Sequence, residues 1–220
     1  MKFKLTVIFL LVLIFGANAQ SVTYDNTSYG DDIRTVILQK AISIYDPLPL
    51  IALGSSEKLR LSFDILSPNN EFFNYTYIHC DRNWQESSLQ QMEYISGKLM
   101  GDIVDFKFST NTYQRFTHYA LNFPEKDMEI TKSGNYILKI YRNFDLEDVV
   151  LTRRFMVLDR HTSISTNIRS ATDPEYRFTH QEVDFSVNYE GFTIPNPFLD
   201  VNVTVLQNNS WNNAIYNLKP

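Results

Sequence analysis

The sequence predicts an all-β fold, and three observations support this prediction. Apolar and polar residues alternate with the period of a half-buried strand in at least seven segments. The chain contains 16 Phe and 13 Tyr, and aromatic residues favour pleated surfaces. Turn-forming residues separate the segments, as in Ser67–Asn70 and Lys132–Asn135. These features together are typical of an immunoglobulin- or fibronectin-III-like β-sandwich.

The first nineteen residues have the features of a cleavable signal peptide. Lys2 and Lys4 precede the apolar run Leu5–Phe15, and Ala17–Ala19 supplies the small residues that signal peptidase requires. This run is only about half of the roughly 20 apolar residues that span a membrane. Gln20 occupies the position that a lipoprotein would fill with cysteine. We therefore expect an exported, soluble protein that begins at Gln20 and has no lipid anchor.

The composition excludes several classes of function. Removal of the two signal-peptide lysines takes the net charge from −5 to −7, which argues against nucleic acid or anionic lipid as a partner. Cys80 is the only cysteine, so no intramolecular disulfide can form. Seven glycines in 220 residues are few, and this makes a glycine-rich phosphate loop improbable.

The strand segments succeed one another along the chain. In the clearest, Lys58–Ile65, apolar residues occupy every second position and charged or polar residues occupy the positions between them. The other segments are Phe73–Tyr77, Tyr119–Phe123, Tyr136–Ile140, Val149–Val157, Val183–Tyr189 and Val201–Val205.

One long segment, from Asp81 to about Val104, lacks alternation. Ser88 and Gln91 there have the spacing of a capping box, and Leu89, Met92 and Ile95 have helical spacing, so we predict a short helix within a long loop. Because the loop also contains Trp84 and Tyr94, we expect it to pack over the core.

The turn Ser133–Tyr136 indicates where the sandwich ends and a second unit begins. A Tyr that enters a strand directly after a tight turn is typical of the tyrosine corner of immunoglobulin-like sandwiches, although a plain hairpin turn would give the same pattern. The corner interpretation predicts one β-sandwich domain over residues 20–159. Residues 160–220 then begin a second β domain, and because so few strands hardly close a sandwich, we expect this domain to be incomplete or to lean on the first.

The residue types that support catalysis or metal binding are scattered. His79 and Cys80 are neighbours on a strand and point to opposite faces, so a zinc site is not expected. A nucleophile and base pair would need Cys80 and His118 to meet in the fold. The acidic clusters Glu125–Glu129 and Asp145–Asp148 lie between strands, where solvated turn tips are expected rather than a glycosidase or calcium site. We predict no catalytic residues, no metal and no cofactor.

Several short motifs, taken together, resemble the plug protein family of the Bacteroidetes type IX secretion system. Each motif is weak alone, but they occur in the family's order along nearly the whole mature chain. The matching segments are Asp31–Val36, Ile78–Asp81 with Trp84, Thr117–Pro124, Ser133–Tyr136, Leu151–Val157, Leu206–Asn208 and Trp211–Ile215. Family members continue well beyond the length of this chain, so the resemblance covers their N-terminal part.

The resemblance implies a non-enzymatic periplasmic protein that binds the inner mouth of the outer-membrane translocon barrel and closes it when idle. Direct membrane insertion is not implied. Trp84, Arg34, Arg153 and Arg154 are the candidates for partner binding, although packing or pairing on a sheet face would explain them equally well. The alternative function is a secreted β-sandwich module that binds carbohydrate or protein, and a hydrolase ranks third.

Overall fold

The computed structural model describes residues 22–42, 48–189, 191 and 193–219. The expected signal peptide, residues 1–19, lies outside these described residues. The described chain forms two single-turn helices, α1 (Gln91–Tyr94) and α2 (Pro197–Asp200), and otherwise strands. The strands are β1 (Thr27–Ser28), β2 (Ile33–Lys40), β3 (Leu50–Ala52), β4 (Leu59–Ile65), β5 (Phe73–Cys80), β6 (Ile95–Gly97), β7 (Gly101–Ile103), β8 (Asp105–Phe108), β9 (Thr117–Phe123), β10 (Met128–Ile130), β11 (Gly134–Arg142), β12 (Val149–Leu158), β13 (Ser163–Ser170), β14 (Gln181–Asn188), β15 (Val203–Gln207) and β16 (Ser210–Leu218).

Two sheets enclose the main core. The larger sheet has the order β1-β12-β11-β5-β7, and β3 pairs with β12 in parallel at the same edge as β1. The smaller sheet has the order β2-β4-β9-β8, and its neighbouring strands are antiparallel. Side chains from both sheets form one buried apolar cluster. The predicted all-β sandwich is therefore confirmed.

Alternation along β4 explains how the core is filled. Its four apolar side chains are fully buried, and the residues between them face outward. Phe63 of β4 stacks on Tyr119 at 5.3 Å and meets the edge of Phe73 from the opposite sheet at 5.5 Å. Burial of each such ring contributes about 2 to 3 kcal/mol, so the aromatic residues supply much of the stability that a chain without disulfides needs.

The tyrosine corner is present. The Tyr136 hydroxyl donates a hydrogen bond to the carbonyl oxygen of Lys132, four residues upstream, at 2.7 Å. The ring of Tyr136 is fully buried and stacks on Phe155 at 5.3 Å. This contact ties the turn before β11 to the core of the sandwich.

The long segment after β5 packs as predicted, but its helix is shorter and begins later. Trp84 and Tyr94 are buried, which confirms the packing role of the segment. The N-cap is Gln90 rather than Ser88, because the Gln90 backbone N–H donates to the Glu93 carboxylate at 2.7 Å. The helix ends after one turn, since Ile95 already pairs with β10 as the first residue of β6. Leu89 and Ile95 therefore lie outside the helix, and the predicted helical face of Leu89, Met92 and Ile95 is wrong.

Strand β2 lacks a clear alternating pattern because it contains a bulge. Thr35 has a positive φ of 51°, and the pairing with β4 shifts register between Arg34 and Ile37. An extra residue in a strand moves every later side chain to the other face, so the period of two is lost.

The chain beyond the sandwich forms two hairpins, β13–β14 and β15–β16. A groove of about 940 Å³ lies between them, and side chains such as Ile164, Val183, Val205 and Ile215 line it. Ile164 and Ile215 are more than half exposed. The hairpins therefore expose apolar faces of the kind that the sandwich buries.

Candidate interaction surface

Arg34 lies on the exposed face of the smaller sheet. It sits opposite Asp64 of β4 in the strand register, and its guanidinium donates to the Ile33 carbonyl at 2.8 Å. Asp64 is hydrogen bonded to His118 of β9 at 2.6 Å. This row of polar residues crosses three strands and faces outward, so Arg34 remains a candidate for partner binding.

Trp84, unlike Arg34, is buried inside the protein. Its side chain is 1 % exposed and lies against Cys80 and Ile137 on the outer face of the larger sheet. The residue is held at a φ of 62°, and its backbone N–H donates to the carbonyl of Asp81 at 3.1 Å. A side chain buried to this degree has no surface to offer a partner, so the structure reassigns Trp84 from docking to internal packing.

Arg154 joins Trp84 to the second tryptophan of the chain. Its guanidinium carbon lies 4.6 Å from the Trp84 ring centroid and 5.8 Å from that of Trp211, and the two indole rings meet edge to face at 4.9 Å. Nε of Arg154 donates to the Tyr24 carbonyl at 2.9 Å, and the guanidinium is 3.3 Å from the Asp25 carboxylate. We call Trp84, Arg154 and Trp211 the joint, because Trp211 belongs to β16 and the other two belong to the sandwich.

Arg153 points to the opposite face of β12. Its guanidinium donates to the carbonyls of Thr27 and Thr152 at 2.8 and 2.7 Å and to the Ser28 hydroxyl at 3.0 Å. Burial lowers the pKa of Arg153 to about 10. No carboxylate among the described residues lies within ion-pair distance, so neutral oxygens alone hold this cation. Arg153 ties β1 to β12 and is half-buried.

The residues that could support catalysis or metal binding do not come together in the fold. Cys80 lies in the larger sheet, where burial raises the pKa of its thiol to about 12. His118 lies in the smaller sheet, where its ring is hydrogen bonded to the Asp64 carboxylate. Asp127 of the first acidic cluster pairs with Lys98 at 2.6 Å. Within the described part of the chain, no group of His, Cys, Asp and Glu could hold a metal ion.

One end of the sandwich carries an apolar surface that the sequence reasoning missed. Phe72, Val104 and Phe144 are 71, 80 and 65 % exposed, and all three line one pocket of about 330 Å³. We call these three residues the loop-end patch. The signal in the sequence was Asn143-Phe144, a turn in which a large aromatic residue follows Asn.

Comparison with known proteins decides the family. The sequence model for the first domain of the type 9 secretion system plug protein matches residues 33–159, which is more than half of the chain. The chain belongs to the type 9 secretion system plug protein family. The resemblance seen in the short motifs is thereby confirmed.

A solved structure supports the fold of this plug-family chain. It is a hypothetical protein from Parabacteroides merdae ATCC 43184, with 30 % sequence identity and a TM-score of 0.85 over 91 % of this chain. The match covers 50 % of the Parabacteroides protein, so the chain spans half of that relative's length. Because 91 % of 220 residues is about 200 residues, the similarity extends beyond residue 159.

Other comparisons add nothing to the assignment. A structure of the Pseudomonas fluorescens alkylpurine DNA glycosylase AlkC, bound to DNA with an abasic site analogue, has 8 % identity and a TM-score of 0.32. It covers 57 % of this chain and 30 % of the glycosylase, and such a low score carries no argument. No curated protein matches the sequence significantly.

Proposed function

We propose that this protein is a non-enzymatic periplasmic subunit that binds the inner mouth of the type IX translocon barrel in the outer membrane and closes the pore when it is idle. The observation that carries the proposal is the family match over residues 33–159. A plug must resist deformation, and a two-layer sandwich with an aromatic core meets that need. The proposal includes export by a signal peptide over residues 1–19 and a Bacteroidetes host.

The chemistry of the described residues agrees with a binding role. The lone thiol is buried and protonated at neutral pH, and the side chains of His118 and Arg153 are engaged in structural hydrogen bonds. None of the described helices is long and apolar enough to cross a membrane. We further propose that residues 20–159 form one β domain and that residues 160–220 begin a second.

Deletion of the gene tests the proposal. Cells without the protein should take up a bulky antibiotic faster than wild-type cells, because the idle barrel would stay open. A second strain that lacks both the protein and the barrel should regain the wild-type permeability. Unchanged uptake in the single deletion would contradict the proposal, and so would a leak that persists without the barrel.

The alternative function, a carbohydrate-binding module, can be distinguished from a plug in a simple assay. A carbohydrate-binding module should be retarded in a native gel that contains its polysaccharide, whereas a plug should co-purify with the barrel from detergent-solubilised membranes. Retardation without co-purification would favour the module.

A further inference from the structure

The loop-end patch contains a residue type that the local backbone disfavours. Asn143 and Phe144 have positive φ values of 51° and 61°, and the Asp145 N–H donates to the Arg142 carbonyl at 2.8 Å, as in a type I′ turn. Glycine is preferred at the second of these central positions, and a side chain there costs about 1 kcal/mol. Phe144 nevertheless occupies the position and points largely into solvent, so its burial in the fold does not account for it.

Hydrogen bonds hold the three segments of the patch in one arrangement. The buried Asn74 side chain accepts the Phe144 N–H at 2.8 Å and donates to Asp102 at 2.6 Å, which links the turn to β7. The Asn143 N–H donates to the Phe72 carbonyl at 3.1 Å. The patch is therefore preorganised, and binding to it would lose little conformational entropy.

The surroundings of the patch are acidic. Glu71 and Asp102 line its pocket, and no lysine or arginine among the described residues does. Arg142, the first residue of the turn, is already matched by three carboxylates, those of Glu71, Asp148 and Asp32. Asp145 follows Phe144 directly in the turn. The patch thus combines exposed apolar rings with excess negative charge.

This charge decides between two kinds of occupant. An apolar patch that enters a membrane is normally accompanied by Lys or Arg, because bilayer surfaces are anionic. An acidic rim would be repelled there, but it would attract a protein segment that carries basic residues. Exposed apolar patches with polar rims are typical of protein-binding sites.

We propose that the loop-end patch docks a protein segment in which an apolar side chain is flanked by lysine or arginine. The inference rests on the proposed function and adds to it the surface and the partner chemistry: the segment belongs to the translocon, its apolar side chain enters the pocket beside Phe73 and Ile103, and its basic neighbours face Glu71 and Asp102.

The test uses the tagged full-length protein, expressed in its native host in place of the wild-type copy. The amount of barrel recovered with it after detergent solubilisation is measured by quantitative immunoblotting. Phe144→Gly should reduce this recovery by roughly tenfold or more, as expected for an aromatic anchor. Glycine suits the positive φ of the turn, so the variant should keep the wild-type circular dichroism spectrum and melt at or slightly above the wild-type temperature. Asp145→Lys should also reduce recovery, because it opposes the basic residues of the partner.

The matched control is Met92→Ala. Met92 is another exposed apolar residue, but it lies in α1, which contacts the middle of β5, and it does not line the pocket of the patch. Its substitution should leave recovery of the barrel unchanged.

The possible failures are distinguishable. If the wild-type protein recovers no barrel, the proposed function fails. If the wild type recovers barrel and folded Phe144→Gly recovers as much, only the docking inference fails. If the wild type sediments with vesicles of phosphatidylethanolamine and phosphatidylglycerol and Phe144→Gly does not, the patch binds membrane and the inference is overturned.

Discussion

Replacement of Arg154 by leucine should open the joint between the sandwich and β16. The change removes a charged hydrogen bond to the Tyr24 carbonyl, worth about 1.5 kcal/mol, and two cation–π contacts. The Arg154 side chain is only 14 % exposed, so we assign about 1 kcal/mol to the contact with Trp84 and about half of that to the longer one with Trp211. The pair with the more exposed Asp25 adds little. The total expected loss is about 3 kcal/mol.

Tryptophan fluorescence monitors the opening of the joint, because Trp84 and Trp211 are the two tryptophans of the chain and both lie in the joint. Urea unfolding of the Arg154→Leu variant should show a fluorescence transition at lower urea than the wild type. Far-UV circular dichroism follows the sheets as a whole. If the joint opens before the sandwich unfolds, the fluorescence transition will precede the circular dichroism transition.

A matched control is Arg60→Leu. Arg60 lies on the smaller sheet, and among the described residues its guanidinium makes only a long contact of 3.4 Å with the Asn122 side chain. Its loss should therefore change the free energy of unfolding by less than about 0.5 kcal/mol. A loss below about 1 kcal/mol for Arg154→Leu, or a loss equal to that of the control, would refute the assignment of the joint.

Three further changes test the fold, each by urea unfolding followed by circular dichroism. Tyr136→Phe removes the hydrogen bond to Lys132 and should lower the free energy of unfolding by about 1 kcal/mol. Unchanged stability would show that this hydrogen bond does not stabilise the fold. Gly101→Ala places a methyl group against the buried ring of Tyr75 and should cost about 1 to 3 kcal/mol, whereas unchanged stability would show that the ring moves freely. Burial lowers the pKa of Lys139, so Lys139→Met should add about 1 kcal/mol at pH 7. This gain in stability should shrink as the pH rises through the lowered pKa, because the wild-type amine then becomes neutral in the folded state. A gain that grows with pH would contradict the prediction.

Strands were predictable where alternation was unbroken. β4, β9 and β11 match their predicted segments within a few residues, because apolar side chains occupy every second position on the face that packs on the core. In β11 the opposite face is buried as well, since Ile137 packs against Trp84. β2 was missed because its bulge breaks the period, and β6 and β7 were missed because three residues are too few to show one.

The four residues predicted to bind a partner fall into three groups in the structure. Arg34 stays exposed, Trp84 is buried, and Arg154 and Arg153 hold other segments in place. Sequence reasoning places neighbouring strand residues on opposite faces, but it does not say which loop or hairpin covers each face. The loop-end patch was missed for the same reason, since Phe72, Val104 and Phe144 come from three separate connections between strands.

The sequence by itself determined the fold class and the family, and it offered the tyrosine corner as one of two interpretations of the turn before β11. Each of these depends on residues close together in the chain, or on the order of short motifs, and both are visible without coordinates. Only the tertiary structure decided the joint and the loop-end patch. Trp84, Arg154 and Trp211 are far apart in sequence and meet because sheet packing brings β12, the loop after β5 and β16 together. Such contacts depend on the geometry of the whole fold, which no local pattern encodes.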